Sequence, residues 1–416
     1  MNVNETIVMG NAGVLGTLSM CYAPLIDKNR KAIGTRLTML SVHAGERLPV
    51  GQVLSALNDV WPDSKGTVLV APLDANFDES ALEWAQPKNA ILEIPSITLR
   101  DPEAQTIVQK LFRDGKRLAL RGRADTPLPP ALLSCFEFAL VHTAEERRRD
   151  PDGRIAPAQS GGGGNGMPRR IPFIITGVHS VAEIDAAFER GAQSSVGWPL
   201  DDTQTQQARP LQPGQAVVLE LLRLVRDDAD VTKIDATLKR DPALAFKLLR
   251  LVNSAAFGLT VQITSFQHAV MMLGYKKMMR WLSLLMATAS KDANTFPLMH
   301  ASIRRGLFLE FIGAEDNQSD LRDELFITGA FSLLDRITGA SFDQLFELIS
   351  LSENVVDAVV KKEGPYAPYL ELIEAIERSD PLVIQKKLDE LALPVATCNE
   401  ALLRAMAAAN TLDSDM

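Results

Sequence analysis

The chain has 416 residues, 46% of them apolar, and a formal net charge of −9. That length exceeds the size at which one hydrophobic core usually keeps growing, so two domains are expected, and wholesale disorder is excluded. The acidic balance opposes sequence-independent contact with nucleic-acid phosphates, which draws on clustered Lys and Arg.

Cys21, Cys135 and Cys398 are odd in number and widely spaced, which argues against a disulfide framework or a CxxC zinc site. The N-terminus lacks the charged-then-apolar order of a secretory leader, and no apolar run approaches the roughly 20 residues that cross a bilayer. A cytoplasmic protein without membrane insertion is expected.

In the first half, short apolar runs at 68–71, 90–94, 117–120, 138–141, 173–176 and 194–197 alternate with helical segments. That rhythm denotes βα units with parallel strands, and six or more of them in this length favour a closed or nearly closed (β/α) barrel. Asp101-Pro102 opens a helix that stops at Gly115, and Ser180 with Glu183 forms a capping box for another that stops at Gly191. The stretch 147–170, RRRDPDGRIAPAQSGGGGNGMPRR, has no apolar period and is expected to be a surface loop. Its four glycines lack the Lys-Ser or Lys-Thr that a P-loop requires. The polar, proline-bearing run 201–214 marks the boundary, giving a barrel domain over 1–202 and an all-helical domain over 203–416.

Beyond the boundary the pattern is helical. Asp241 and Pro242 suit an N-cap and a first helical position, followed by Leu244, Leu248, Leu251 and Val252 on one face and by Gly258 as a stop. Thr264 and Gln267 begin a second helix, for which Gly274 supplies a left-handed exit. Asn253 and Ser254, at the end of the first helix, are expected to fix the intervening turn. Phe326, Ala330, Leu333, Leu334 and Ile337 share a face, Ser341 with Gln344 caps another helix, and Asp380-Pro381 opens a further one. Met271, Met272, Met278, Met279 and Met286 cluster around Trp281, as core or as a docking surface.

The words LLRLVNSAAFG and ITSFQHAVMMLG resemble the HDOD domain, a helical relative of HD phosphohydrolases in bacterial signalling proteins. GVHSVAEIDAAFERGAQSSVGWP, CYAPLIDKNRKAIGTRL and ILEIPSITLRD resemble parts of the EAL domain, the barrel that hydrolyses cyclic di-GMP. The resemblance implies where ligands for Mg²⁺ or Mn²⁺ would stand, and most are replaced. Arg36 falls at the name-giving glutamate, Arg121 with Gly122 at the paired aspartates, Leu140 and His142 at a lysine and an aspartate, Thr176 at a late glutamate, and Val196 at a glutamine. Glu93 alone matches a ligand.

In the helical half, HD chemistry needs His-Asp pairs, yet none of the five histidines precedes an aspartate. Of these, His43, His142 and His179 belong to the barrel, while His268 and His300 fit structural or solvent-facing roles. The resemblance therefore implies a degenerate EAL barrel before an HDOD domain, without bound cofactor or catalysis, acting through other signalling proteins. Arg36 and Arg121 become candidates for a nucleotide phosphate, with cyclic di-GMP as the implied ligand. A weak metal-dependent phosphodiesterase built on Glu93, and a sensor that binds cyclic di-GMP without cutting it, are the alternatives. Nucleic acid is not expected, and self-association stays open.

Overall fold

The computed structural model describes residues 11–42, 47–61, 66–122, 128–144, 171–201, 213–253, 263, 266–287, 290, 292–313, 319–348 and 351–415. The Gly-rich stretch 147–170 and most of the expected boundary lie outside these.

Eight strands close a barrel in sequence order. A long hairpin begins it: β1 (Leu18–Ile26) and β2 (Ala32–Ser41) pair antiparallel from Leu18↔Ser41 to Ile26↔Ala32. Its turn is set by Asp27, whose carboxylate accepts the N–H groups of Asn29 at 2.9 Å and Lys31 at 2.8 Å. β3 (Thr67–Pro72), β4 (Ala90–Pro95), β5 (Leu118–Arg121), β6 (Ala139–His142), β7 (Phe173–Val178) and β8 (Ser194–Gly197) follow, each parallel to its predecessor from β2 onward. β8 meets β1 antiparallel through Leu25↔Val196 to close the ring. The six apolar runs in the sequence are β3 to β8. The hairpin adds two further strands, and in β2 Thr35, Arg36 and Thr38 interrupt the apolar residues.

The barrel floor is Leu25, Leu69, Ile91, Ala119, Phe138, Leu140, Ile174 and Val196. Among the longer helices, α1 is Val50–Asp59, α2 is Pro102–Arg113 and α3 is Val181–Glu189. Asp101 caps α2 by accepting the Glu103 N–H. Ser180 Oγ accepts the Glu183 N–H at 3.1 Å, while the Glu183 carboxylate takes that of His179 at 2.7 Å.

The helical half runs through α4 (Pro213–Arg226), α5 (Val231–Leu238), α6 (Pro242–Val252), α7 (Phe266–Ala287), α8 (Phe296–Ile312), α9 (Ser319–Phe331), α10 (Leu334–Thr338), α11 (Phe342–Leu348), α12 (Ala367–Arg378), α13 (Pro381–Glu390) and α14 (Val395–Asp415). α8 is buried nearly all round, including Arg304 and Arg305. It crosses α9 where a Cβ on Gly329 would lie 2.5 Å from the Arg305 carbonyl group, so only glycine permits that approach. The first arm of α7 stops at Gly274, as expected. The residue has φ 73° and ψ 169°, which ends that helix, and a second arm then runs to Ala287. Core contacts hold the second arm: Met278, Trp281, Leu282, Leu285 and Met286 are buried. Met271, by contrast, is exposed.

One apolar cluster includes Met20, Tyr22, Leu37 and Met39 of the hairpin together with residues of α4 through α14. Strand alternation explains this, because these four side chains point away from the floor-facing set and need a cover. Asn399 of α14 fastens β1 by accepting the Met20 N–H at 3.1 Å and donating to the Leu15 and Leu18 carbonyls at 2.8 and 2.6 Å. Cys21, Cys135 and Cys398 are free and buried. Among the described residues, no helix is long and apolar enough to cross a membrane.

Candidate functional site at the barrel mouth

Alternation along parallel strands decides what stands above the floor. Two residues beyond Ile91, Ala119, Leu140 and Ile174 come Glu93, Arg121, His142 and Thr176, on the same inward face and toward the C-terminal ends where barrel enzymes build their sites. On β2, Arg36 lies opposite Ala23 and Leu69, beside the floor. Leu140 and Val196 are floor residues themselves, packed in apolar contact.

Arg36 and Glu93 form a two-pronged ion pair, with Nε to Oε1 and Nη2 to Oε2 both 2.7 Å. The Glu93 side chain is 0% exposed, and that of Arg36 17%. Burial alone would lower the Arg36 pKa, but the Glu93 charge and hydrogen bonds outweigh it and hold the guanidinium above its usual value. Arg121 has a different environment. Burial lowers its pKa, Glu93 and Asp74 partly offset this, and the Arg36 charge adds to the lowering. Its Nη1 is buried and, among the described residues, has no hydrogen-bond partner. A desolvated cation with an idle donor is a costly arrangement that an anion would relieve.

At the rim, His142 Nδ1 accepts the Ala144 N–H at 3.1 Å, and its ring lies against Gly177, where a Cβ would fall 2.4 Å from Nε2. Gly177 also has φ 75°, so glycine meets two requirements there. Asp74, beyond the end of β3, accepts the Ser41 N–H at 3.0 Å.

These donors do not fit a divalent ion. Both Glu93 oxygens are taken by Arg36, Arg121 adds positive charge beside them, and among the described residues no three His, Cys, Asp or Glu come together as ligands.

In the helical half, Asn253 is hydrogen-bonded at both ends of its amide. Nδ2 donates to the Leu249 and Ile263 carbonyls at 2.8 and 2.7 Å, and Oδ1 accepts the Ile263 N–H at 2.7 Å. Ser254, Gly258, Thr264 and His43 lie outside the described residues. His300 is buried on α8 and stacks on Trp198 with centroids 6.4 Å apart. The sequence reading did not single out Arg304 and Arg305. Arg304 Nη2 donates to Thr35 Oγ1 at 2.8 Å, and Arg305 Nε donates to Glu377 Oε1 at 2.9 Å. The signal was present as two adjacent arginines in the largely apolar word SIRRGLFLEF.

Residues 211–340 match the HDOD domain family, so the helical region carries an HDOD domain. The chain is 27% identical over 237 residues to the Vibrio cholerae protein named Cyclic di-GMP phosphodiesterase CdgJ, covering 57% of this chain and 55% of that one. It is 22% identical over 216 residues to the Bacillus subtilis uncharacterized protein YuxH, covering 51% and 53%. The matches thus span about half the length of these curated relatives. A crystal structure of the FimX EAL domain from Pseudomonas aeruginosa bound to c-di-GMP aligns with TM-score 0.30 and 11% identity, over 45% of this chain and 94% of that one. The expectation that the chain is not an enzyme is overturned by the first relative, a protein named as a phosphodiesterase. Ligands missing from expected positions proved too weak a warrant, since a site can be rebuilt from residues a motif does not index.

Proposed function

We propose that this HDOD-bearing chain takes cyclic di-GMP at the mouth of its barrel and works in the signalling chemistry of that nucleotide. One observation carries the reading: the buried Arg121 guanidinium keeps an idle Nη1 among the described residues at the C-terminal end of β5, beside the Arg36–Glu93 pair. A phosphodiester oxygen would supply the missing acceptor, and Arg36 would add charge from the neighbouring wall. The name of the Vibrio relative supports cyclic di-GMP as the phosphodiester.

A second reading, hydrolysis of the same molecule, is favoured by that name. One experiment addresses both. Calorimetric titration of the full chain with cyclic di-GMP should give saturable heat, weakened by Arg121→Ala by about 1–3 kcal/mol. Chromatography of the same mixtures with Mg²⁺ or Mn²⁺ present reads turnover. Absence of heat at high micromolar nucleotide, with no product formed, would sink the proposal.

A further inference from the structure

Between the two halves, on the side where β7 and β8 end, lies a cleft of about 320 Å³ that shares no lining residue with the Arg36, Glu93 and Arg121 cluster. That volume is at the small end of the range for small-molecule sites. Its depth is polar and fixed: Arg305 holds both Glu377 oxygens and donates from Nη1 to Ser332 Oγ at 2.9 Å. Beside this pair stand an edge of Trp198 from the barrel and the half-buried Phe342 from α11. The outer wall is a π-helical turn, Asp357–Lys361, which places Val359 and Val360 in the lining and ends at Lys362 with φ 58°. Single π turns and non-glycine residues at positive φ are uncommon and recur at functional sites.

The charges in the cleft are unevenly engaged. Glu377 is held by Arg305, and Glu374 by Lys362 at 3.1 Å and Arg305 at 3.7 Å, so both acids are neutralised from within. Arg378 acts on both acids only from a distance and, among the described residues, donates no hydrogen bond; it is exposed on the rim. Arg336 gives one N–H to the Leu200 carbonyl, and His179 also lines the cleft. Asp201, whose N–H donates to the His179 carbonyl at 2.9 Å, and Asp335 also line the cleft.

We propose that this cleft binds a small organic anion carrying a flat ring, of nucleoside monophosphate size. The ring lies on Phe342 and the valines of the π turn, and the anionic group meets Arg378 and Arg336. Because both halves supply walls, occupancy ties the barrel to the helices.

The test uses the full chain with three probes: GMP, guanosine, which has the ring without the anion, and inorganic phosphate, which has the anion without the ring. GMP should bind saturably, at least about tenfold tighter than either control, and slow amide exchange at 333–342 and 357–362. Arg378→Ala, an exposed change, should weaken GMP by roughly tenfold or more, while Arg121→Ala leaves it unchanged. The Arg121 variant separates this site from the barrel mouth. No GMP binding at millimolar concentration, equal binding of guanosine, or loss with Arg121→Ala but not Arg378→Ala would each overturn the proposal.

Discussion

Thr35 and Arg36 are neighbours on β2 that face opposite ways, one bonded to Arg304 of α8 at 2.8 Å and the other paired with Glu93 inside the barrel at 2.7 Å. One strand therefore joins the candidate mouth to the most buried helix of the HDOD-bearing half. Gly34 holds that strand close to β3, since a Cβ there would fall 2.4 Å from the Thr67 carbonyl oxygen.

The ion pair is more sensitive to loss of one partner than of both. Glu93→Ala leaves Arg36 with no counter-charge in an enclosed site and should cost about 3–5 kcal/mol. The double change Arg36→Met with Glu93→Leu should recover most of that. Urea unfolding monitored by circular dichroism checks the pair, and equal losses in single and double variants would show that the ion pair is not the cause.

Asn253 closes the chain end of α6 onto Ile263 through three hydrogen bonds. Asn253→Ala leaves the Ile263 N–H and C=O without those partners and should cost about 2 kcal/mol. Amide exchange at Ile263 should quicken in the variant. An unchanged exchange rate would mean that Ile263 is held without the amide.

Asn399 joins β1 to α14, with 379 residues separating it from Met20. Asn399→Leu removes one acceptor and two donors inside a buried contact, so an unfolding loss of about 2–3 kcal/mol is expected. The loss should appear in one cooperative transition, because a single apolar cluster crosses the contact. Two separated transitions in the wild-type protein would contradict that coupling.

Glu374 gives a pH prediction. Burial raises its pKa, but Arg305, Lys362 and Arg378 outweigh this and hold it below the usual 4.5. Its folded value lies below its unfolded one, so its contribution is present above about pH 4.5 and lost as pH falls through the folded value. Glu374→Gln should lower stability at neutral pH and flatten the acid limb below pH 4.5 in thermal melts. An acid limb as steep as that of wild type would assign the effect to other carboxylates.

The sequence by itself determined the local punctuation and the order of elements. Ser180 with Glu183, Asp101-Pro102, Ser341 with Gln344 and Asp380-Pro381 all act as helix starts, because capping joins atoms only a few residues apart. The alternation of strands and helices likewise announced a barrel followed by helices. The resemblance to the EAL domain is what singled out Arg36, Glu93 and Arg121 as candidates.

Only the tertiary structure decided that Arg36 closes on Glu93 while Arg121 keeps an idle donor, since that depends on side chains from three strands meeting across a lumen. The same holds for the methionines of α7, where Met278 and Met286 are buried and Met271 is exposed, and for the Arg305–Glu377 pair, whose partners are 72 residues apart. Local rules act over a turn or a strand, whereas charge pairing and burial are settled by neighbours that only the folded chain brings together.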